Sequence, residues 1–323
     1  MKTDLAVVIL TFNESLHIAR ALDSVKDIAS EVFVIDSGST DGTVRIATER
    51  GAHTLYHPFV NQAKQFQWGM DNAPITANWV LRLDADEIIE PDLAREIAGK
   101  LPGLPADVAG INLKRKHIFM DRWVRHGGRY PLLMLRLFRR GKARVEDRWM
   151  DEHITLNEGR TVTFEGGFAD HNLNDLTYFT DKHNKYATRE AIEVLNHRLQ
   201  LFPRDEAMNS GNASAQASFK RWVKERIYNR IPFTLSATLY FLWRYIVQLG
   251  FLDGRSGLVY HALQGGWYRF LVGARVMELE RGIAHLSDKG EICAELSRLT
   301  GHKLVTRVPN TVPDGRSGIA TQG

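Results

Sequence analysis

The chain has 323 residues, of which 44% are hydrophobic and 25% are charged, and its formal net charge is +4. This composition excludes a disordered, collagen-like or disulfide-stapled protein, and so small a charge does not indicate a nucleic-acid partner. Because Cys293 is the single cysteine, no internal disulfide is expected, which favours a reducing compartment. The length suggests two domains, or one large α/β domain with an appendage.

The first hundred residues alternate strand and helix patterns. The apolar run of residues 5–10 predicts a strand buried on both faces of a parallel sheet. Helical and strand-like segments then alternate; the predicted strands are 31–36, 52–56 and 79–83, and the predicted helices are 18–25, 43–47, 61–72 and 91–101. Such alternation predicts right-handed βαβ units around a mainly parallel sheet.

Three polar clusters follow three of these strands, at residues 11–14, 36–41 and 84–87. In parallel α/β sheets, ligands bind beyond the carboxyl ends of the strands, so we expect the clusters to form one site. Asp84 and Asp86 present two carboxylates to one hard cation, and Mg²⁺ or Mn²⁺ shares such ligands with substrate phosphates. The alternative is a solvated turn that caps the next helix, but the two neighbouring clusters favour the site.

The second cluster offers a carboxylate, Asp36, that can accept hydrogen bonds from a nucleobase or ribose. The following residues 37–42 also present backbone N–H groups at a helix N-terminus, which suits an anion. Simple capping of that helix by Ser39, Thr40 or Asp41 is equally compatible with the pattern. Neither a G-x-G-x-x-G nor a Walker-type motif is present, so dinucleotide-binding and P-loop folds are not supported.

The pattern changes beyond residue 109. Residues 109–167 form short alternating segments that predict a mixed extension of the sheet, and residues 175–201 predict a helix. Residues 231–250 are apolar and aromatic, but Pro232, Arg244 and Gln248 make them a marginal membrane span. This segment and the basic residues before it suit the interface of an anionic membrane, an internally packed helical subdomain or a dimer interface.

Residues 8–14, 36–43 and 83–87 together resemble the motifs of the family 2 glycosyltransferases, over roughly residues 1–175. Within that family, the sequence is most similar to bacterial enzymes of lipopolysaccharide-core and exopolysaccharide synthesis, including the lipopolysaccharide-core β-glucosyltransferase type. The resemblance implies an α/β, GT-A fold: a Rossmann-like, mainly parallel sheet flanked by helices, with a helical, aromatic and basic carboxyl-terminal extension. The implied division is a catalytic domain at 1–175 (nucleotide-sugar half 1–105, acceptor half 106–175), a helical region at 176–304 and a disordered tail at 305–323.

The resemblance also assigns roles to residues. Asp86 and Asp84 would bind Mg²⁺ or Mn²⁺. The residues expected to bind the nucleotide sugar are Thr11, Asn13, Glu14, Asp36, Ser39, Asp41, Lys64, Arg82, Asp84 and Ala85.

The general base is expected in the segment 149–153, where related enzymes place an acidic residue. Glu152 is the first candidate and Asp151 the second, since adjacent acids cannot be ranked without geometry; a surface acidic pair on a turn is the alternative. His153 and His171 would orient the base or reach the metal, although a lone histidine is more often structural. Arg125 and Arg129 would contact the diphosphate or the acceptor, because arginine clamps phosphate oxygens bidentately.

The implied reaction is inverting transfer of a sugar, from a UDP-sugar, to a lipid-linked or lipopolysaccharide-type or exopolysaccharide glycan. The nearest match to the processive Q-x-x-R-W motif, residues 218–222, lacks the glutamine, so one sugar per encounter is expected. We expect a cytoplasmic protein, peripheral on the cytoplasmic face of the inner membrane, with an anionic membrane surface as a partner and homo-oligomerisation left open. The alternatives are a polyisoprenyl-phosphate glycosyltransferase and a non-catalytic scaffold that binds a membrane or partner.

Overall fold

The computed structural model describes residues 2–146, 153–202 and 232–304. Its amino-terminal part is built on four parallel strands in the spatial order β3-β2-β1-β4. The strands are β1 (Thr3–Thr11), β2 (Ala29–Asp36), β3 (His53–Tyr56) and β4 (Trp79–Asp84). The connecting helices are α1 (Ile18–Val25), α2 (Thr43–Glu49) and α3 (Gln62–Asn72).

Both faces of β1 are buried, as its continuous apolar run predicts. Leu5, Val7 and Ile9 are fully buried in one hydrophobic cluster with α1, whereas Ala6 and Val8 are fully buried in a second cluster with α3 on the opposite face. The alternation of side chains along a strand thus supplies both cores from one short sequence. The two layers hold the carboxyl ends of β1, β2 and β4 at one edge of the sheet.

The sheet continues past β4 as a mixed extension in the order β8-β6-β11-β5. Strands β4 and β8, β8 and β6, and β11 and β5 pair antiparallel, whereas β6 and β11 pair parallel. The segments are β5 (Glu87–Ile89), α4 (Pro91–Lys100), β6 (Val108–Phe119), β7 (Arg122–Val124), β8 (Leu132–Arg139), β9 (Ala143–Val145), β10 (Ile154–Leu156) and β11 (Arg160–His171). The strand β5 was not predicted; it follows the Asp-Ala-Asp motif directly and pairs with β11.

Helices form the carboxyl-terminal region of the described chain: α5 (Leu176–Leu199), α6 (Phe233–Leu242), α7 (Gly254–His261), α8 (Tyr268–Ile283) and α9 (Lys289–Thr300). The Asp175 side chain caps α5 by accepting a 2.8 Å hydrogen bond from the N–H of Tyr178. Buried side chains of α5, α8 and α9, including Leu195, Val276 and Leu296, form one cluster. The predicted α/β class with a helical carboxyl-terminal region is confirmed, while the predicted tail at 305–323 lies outside the described residues.

Among the described residues, no single helix has the length and apolarity of a bilayer span. One pair, Phe233–Val247 and Gly250–Ile283, passes that test only when its two members are taken together, and they are bent by 72° where they meet.

Candidate functional site

The loops that follow β1 and β2 are joined at Asp36. The Thr11 hydroxyl donates a 2.8 Å hydrogen bond to Asp36, and the two residues are neighbours in the sheet register. The other Asp36 oxygen accepts 2.8 Å hydrogen bonds from the N–H groups of Gly38 and Ser39. Asp36 is buried, and its carboxylate holds the turn that starts the second loop.

Further hydrogen bonds connect the two loops residue by residue. The N–H of Asn13 donates to the Ser39 hydroxyl at 2.8 Å, and the N–H of Ser15 donates to the Asp41 carboxylate at 3.0 Å. Although burial opposes it, hydrogen bonds from Thr43 and Ser15 lower the pKa of Asp41 to about 2. Asp41 is therefore a fixed negative charge that holds the backbone of the first loop.

Two exposed aromatic side chains flank this junction. Phe12 directly follows Thr11 and is 58% exposed, and Tyr56 lies beside Asp36 in the register of β2 and β3 and is 66% exposed. Large apolar side chains that stay exposed next to a polar cleft are candidates for ligand contact. Their ring faces suit stacking with a planar ligand.

The side chains at the start of α3 reach the same edge. The Gln65 amide donates to the Ser37 hydroxyl at 2.5 Å and to the Ile35 carbonyl at 3.2 Å. Lys64 precedes it in an exposed position, and its N–H donates to the Asn61 side chain at 2.7 Å as part of the helix cap. Of these residues, the sequence predicted only Lys64 as a site residue.

At the end of β4, Asp84 is held by arginines. Arg136 on β8 approaches its Oδ2 at 3.0 Å, and Arg82 Nε lies 3.6 Å from its Oδ1. Burial opposes ionisation, but the charges of Arg136 and Arg82 hold the pKa of Asp84 well below its usual range. Asp84 is therefore ionised and already paired. Ala85 beside it is buried.

Glu87 shares the same arginine and lies deeper. Its two oxygens accept from Arg136 at 2.8 Å and from the N–H of Asp84 at 2.9 Å, and its side chain is 1% exposed. Burial, together with the charge of Asp84, raises the pKa of Glu87 to about 8 despite Arg136. A carboxyl that stays protonated at neutral pH thus lies beneath the Asp-Ala-Asp motif.

Asp86 faces the end of β11. Its Oδ2 accepts a 2.9 Å hydrogen bond from the Asn172 side chain, and its carbonyl accepts a 3.0 Å hydrogen bond from the N–H of His171. Burial and the nearby charge of Asp170 raise the pKa of Asp86, whereas Lys182 of α5 lowers it. Asp86 is thus a half-buried carboxylate beside a second, buried carboxylate, with less cationic compensation than Asp84 has.

These surroundings fit a divalent cation at Asp86 better than at Asp84. A cation would offset the repulsion between Asp86 and Asp170 and the cost of burying the Asp86 charge, whereas Arg136 already neutralises Asp84. Within the described ranges, no group of three or more His, Cys, Asp or Glu side chains forms a complete ligand set. A partial set suits Mg²⁺ and Mn²⁺, which commonly complete their shells with water and substrate phosphates.

A buried ionic cluster supports Asp170 from beneath. Arg115 contacts its carboxylate, and His117 Nδ1 lies 2.8 Å from its Oδ2. Although burial opposes ionisation, Arg115 and His117 hold the pKa of Asp170 well below its usual range. Because β6 and β11 pair in parallel with His117 opposite Asp170, the sheet register itself brings these groups together.

Two side chains connect α1 and the first loop to the end of β11. The buried His17 lies 2.7 Å from the Glu14 carboxylate and accepts a 2.9 Å hydrogen bond from the N–H of Leu173. Arg20 donates to the carbonyl of His171 at 2.7 Å and approaches its Nδ1 at 3.3 Å. Glu14 and His171, which were both predicted as site residues, therefore lie at one junction.

The predicted acceptor-side residues are more dispersed. Exposed Arg125 lies over the Trp123 ring at 5.3 Å, and Arg129 lies over the Tyr260 ring at 5.3 Å. Exposed His153 directly precedes β10, where its carbonyl accepts a 3.0 Å hydrogen bond from the N–H of Glu146. The predicted base residues Asp151 and Glu152 lie outside the described residues.

Sequence reasoning missed the charged residues that come from the sheet extension and the helices around it. The available signals were the run of basic residues 114–117 in β6 and Arg136 within the otherwise apolar β8, since charges inside predicted strands need partners. The missed residues that contact Asp84, Asp86, Glu87 or Asp170, or act on their pKa values, are Arg115, His117, Arg136, Asn172 and Lys182.

Comparison with known proteins identifies the amino-terminal part. Residues 6–159 match the model of glycosyl transferase family 2. An uncharacterized glycosyltransferase of Rickettsia conorii is 43% identical over 89 residues, which are 28% of this chain and 31% of that protein. The lipopolysaccharide core biosynthesis glycosyltransferase LpsC of Rhizobium meliloti is 25% identical over 290 residues, which are 86% of this chain and 93% of that protein.

The match to the Rickettsia relative spans about a third of that protein's length. Among solved structures, glucosyl-3-phosphoglycerate synthase from Mycobacterium tuberculosis, in complex with Mn²⁺, UDP and glucosyl-3-phosphoglycerate, is 22% identical. It covers 36% of this chain and 44% of its own, with a TM-score of 0.30. The match to the family 2 model thus covers residues 6–159, just under half of the chain, and the mainly parallel sheet flanked by helices agrees with the predicted GT-A class of fold.

Proposed function

We propose that this chain is an inverting glycosyltransferase that moves a single sugar from a nucleotide-diphosphate sugar, UDP-linked, to a lipopolysaccharide-type or other lipid-linked glycan. The observation that carries the proposal is the junction of three loops at the carboxyl edge of the sheet, with Asp36 at one end and the half-buried Asp86 at the other.

The nucleoside is assigned to the end near Asp36. Exposed Phe12 and Tyr56 offer ring faces on either side of it, and the crossed hydrogen bonds between the first two loops keep this region rigid. The Asp36 carboxylate already accepts from Thr11, from the N–H of Gly38 and from both the N–H and the hydroxyl of Ser39, so it fixes the loop against which a base or ribose would lie. Lys64 and Arg82 bring positive charge to the same edge, which favours a diphosphate.

The diphosphate end is assigned to Asp86. Mg²⁺ or Mn²⁺, when bound there, would neutralise charge on the departing nucleoside diphosphate. The chain's own contribution is to hold the carboxylate still, through Asn172, and to keep Asp84 ionised beside it, through Arg136. Lys182, whose pKa is raised by Tyr186 and Asp86 against the effect of burial, adds a cation on the α5 side.

The transfer is assigned to a base from the segment 149–153, with Glu152 first and Asp151 second. As the acceptor hydroxyl oxygen forms its bond to the anomeric carbon, the bond from that carbon to the diphosphate oxygen breaks, and the carboxylate takes the hydroxyl proton. A single displacement of this kind inverts the configuration at the anomeric carbon.

The proposed acceptor and location are supported by the similarity to LpsC, and the proposed single transfer is supported by an incomplete sequence motif. The similarity to LpsC, a protein named for lipopolysaccharide core biosynthesis, extends over most of both chains. We extend that role to this chain and place it on the cytoplasmic face of the inner membrane, where a lipid-linked acceptor and a cytoplasmic sugar nucleotide meet. Because the Q-x-x-R-W motif is incomplete, we assign one transfer per encounter.

The test is a panel of nucleotide sugars, UDP-glucose first, assayed for thermal stabilisation and slow donor hydrolysis with and without Mn²⁺. Wild type should respond and Asp86→Asn should not, while Asp107→Asn, an exposed carboxylate paired with Arg160, should behave as wild type. The absence of any response by wild type would overturn the proposed donor site and favour a scaffold.

A second arm tests the base. Glycan transfer should be lost in Glu152→Gln, or in Asp151→Asn if that neighbour is the base, while donor binding persists. Full transfer to a phosphate acceptor by both variants would instead favour the polyisoprenyl-phosphate alternative, since a phosphate nucleophile needs no strong base.

A further inference from the structure

The segment after α6, which contains a π-helical turn (Trp243–Val247) and a short 3₁₀ helix (Gly250–Asp253), carries five half-exposed apolar side chains in seven residues. Ile246, Val247, Leu249, Phe251 and Leu252 are 54%, 57%, 47%, 46% and 48% exposed. We refer to these five residues as the apolar tip. Isolated exposed apolar residues are ordinary on protein surfaces, but a contiguous group of this size marks an interaction surface.

The apolar tip continues along α6. Leu235, Leu239, Leu242 and Trp243 are also exposed, and their spacing of four, three and one residues places them along one side of the helix. The apolar segment 231–250, for which the sequence left a membrane, an internal core and a dimer interface open, therefore exposes part of its apolar surface to solvent. A helical stripe that continues into a further exposed apolar segment suits shallow insertion into a bilayer interface.

Charge around the apolar tip is positive. Exposed Arg122 lies beside it, with Nη2 3.5 Å from the carbonyl of Leu252, and exposed Arg255 follows the turn. Asp253 is the single acidic residue in the sequence from 232 to 276, and it is 2% exposed because His126 engages its carboxylate. The exposed Asp121 precedes Arg122, but its carboxylate lies 3.2 Å from His171 Nε2. An apolar surface with these basic neighbours is complementary to an anionic bilayer.

The apolar tip is also fixed to the acceptor side of the catalytic domain. The N–H of Gly127 donates to the carbonyl of Gln248 at 2.9 Å, and Arg244 Nε donates to the carbonyl of Gly127 at 2.8 Å. The segment 121–131 that makes these contacts includes β7 and begins at Asp121, whose carboxylate lies 3.2 Å from His171 Nε2. These contacts connect the apolar tip to the junction at His171, so a ligand bound at the tip would have a fixed position relative to that junction.

We propose that the apolar tip is a docking surface for an anionic lipid bilayer, and that docking seats the acceptor side of the catalytic domain against the lipid. The proposal deepens the proposed function and rests on it for the choice of a lipid-linked acceptor. Binding itself needs no donor, metal or acceptor, so it is measured separately from activity.

The experiment is co-sedimentation of the full-length protein with vesicles of phosphatidylcholine alone and of phosphatidylcholine with 30% phosphatidylglycerol. Because the chain has seven tryptophans, the difference in fluorescence between wild type and Trp243→Phe follows the environment of Trp243 in the same samples. The variants are Leu252→Glu and Phe251→Ser in the apolar tip and Arg255→Gln at its rim. Leu299→Glu is the matched control, since Leu299 on α9 has a similar exposure of 42%.

We expect wild type and Leu299→Glu to bind the anionic vesicles, and each tip variant to bind about tenfold more weakly. Arg255→Gln should lose about fivefold on anionic vesicles and little on neutral ones. Thermal melting should show that all variants are folded. Donor hydrolysis should be the same in the tip variants as in wild type. If wild type itself does not hydrolyse any donor, the proposed function is contradicted, but the result of the vesicle-binding experiment still stands.

Two outcomes would overturn the docking proposal. Equal binding by wild type and Leu252→Glu would mean that the apolar tip does not contact lipid. A concentration-dependent dimer without vesicles, abolished by Leu252→Glu, combined with no vesicle binding by wild type, would identify a second copy of the chain as the occupant.

Discussion

The side-chain amide of Asn172 donates a 2.9 Å hydrogen bond to Oδ2 of Asp86. The two residues are 86 positions apart in the chain and meet because β5, which follows the Asp-Ala-Asp motif, pairs antiparallel with β11. The carbonyl of Asp86 also accepts from the N–H of His171. Asp86 is thus positioned by two residues, His171 and Asn172, that are distant in sequence and lie outside the Asp-Ala-Asp motif.

Asn172→Ala should therefore weaken metal use without removing the carboxylate. The hydrogen bond orients Asp86, and the loss of such an outer contact typically costs about 10- to 100-fold in metal affinity. The measurement is the Mn²⁺ concentration that half-activates donor hydrolysis, which should rise while the rate at saturating Mn²⁺ changes little. Asn184→Ala, on exposed α5 surface, is the control and should leave both values unchanged. An unchanged half-activating concentration in Asn172→Ala would show that Asn172 does not position the ligand.

Arg136→Met should destabilise the fold. Arg136 is 5% exposed and contacts both Asp84 and Glu87, so its removal leaves the partly exposed Asp84 without its main cation and the buried Glu87 without a hydrogen-bond donor. Leaving both groups unpaired in this way costs about 2–3 kcal/mol in the free energy of unfolding. Urea unfolding measures the change. Arg45→Gln, which breaks an exposed pair with Glu49, should change stability by less than about 0.5 kcal/mol. Equal effects of the two variants would mean that the buried cluster does not support the fold.

The amino-terminal half of the fold could be predicted because local patterns determine it. Residues 5–10 are apolar throughout, which a buried parallel strand requires, and the clusters at 11–14, 36–41 and 84–87 follow strands whose ends share one edge. The predicted contact between the first two loops appears as the hydrogen bond between Thr11 and Asp36.

The charged support of the site could not be predicted, because it depends on strand register rather than on local sequence. Arg136 reaches Asp84 through the antiparallel pairing of β4 with β8, and Asp170 meets Arg115 and His117 through the parallel pairing of β6 with β11. A one-residue change of register would direct each of these side chains to the opposite face. The periodicity of a sequence predicts which side chains share one face of a strand, but it does not predict which strand lies beside it.

Glu87 should make stability depend on pH. Its pKa is raised to about 8 by burial and by Asp84, so the folded protein retains a proton that the unfolded chain releases near the ordinary pKa of a glutamate. The native state then binds more protons between those two values, and stability falls with rising pH by at most about 1.4 kcal/mol per pH unit, levelling off above pH 8. Protonated Glu87 thus stabilises at low pH, and this contribution is lost as pH rises.

Urea unfolding of wild type and Glu87→Gln from pH 5 to pH 9 checks this. The amide of Glu87→Gln cannot ionise, so only wild type loses stability through this group as pH rises. The unfolding free energy of the variant should therefore increase relative to that of wild type between pH 5 and about pH 8, whichever of the two is more stable at pH 5. Glu49→Gln, an exposed carboxyl in an ion pair with Arg45, should show a far smaller change over the same range. Parallel pH profiles of wild type and Glu87→Gln would mean that Glu87 ionises normally in the folded protein.

Gly127→Ala should disturb the contact between the acceptor-side loop and the apolar tip. Gly127 has φ +67°, and an added Cβ would lie 2.1 Å from Cε1 of His261, which is fully buried. Gly141 has φ +79° with open space around it, so Gly141→Ala carries the backbone cost alone, about 1 kcal/mol. Gly127→Ala should cost about 1–3 kcal/mol more, because His261 must move. It should also weaken binding to anionic vesicles, which Gly141→Ala should not. Equal unfolding free energies for the two variants would show that this loop yields to a Cβ and does not hold the tip in place.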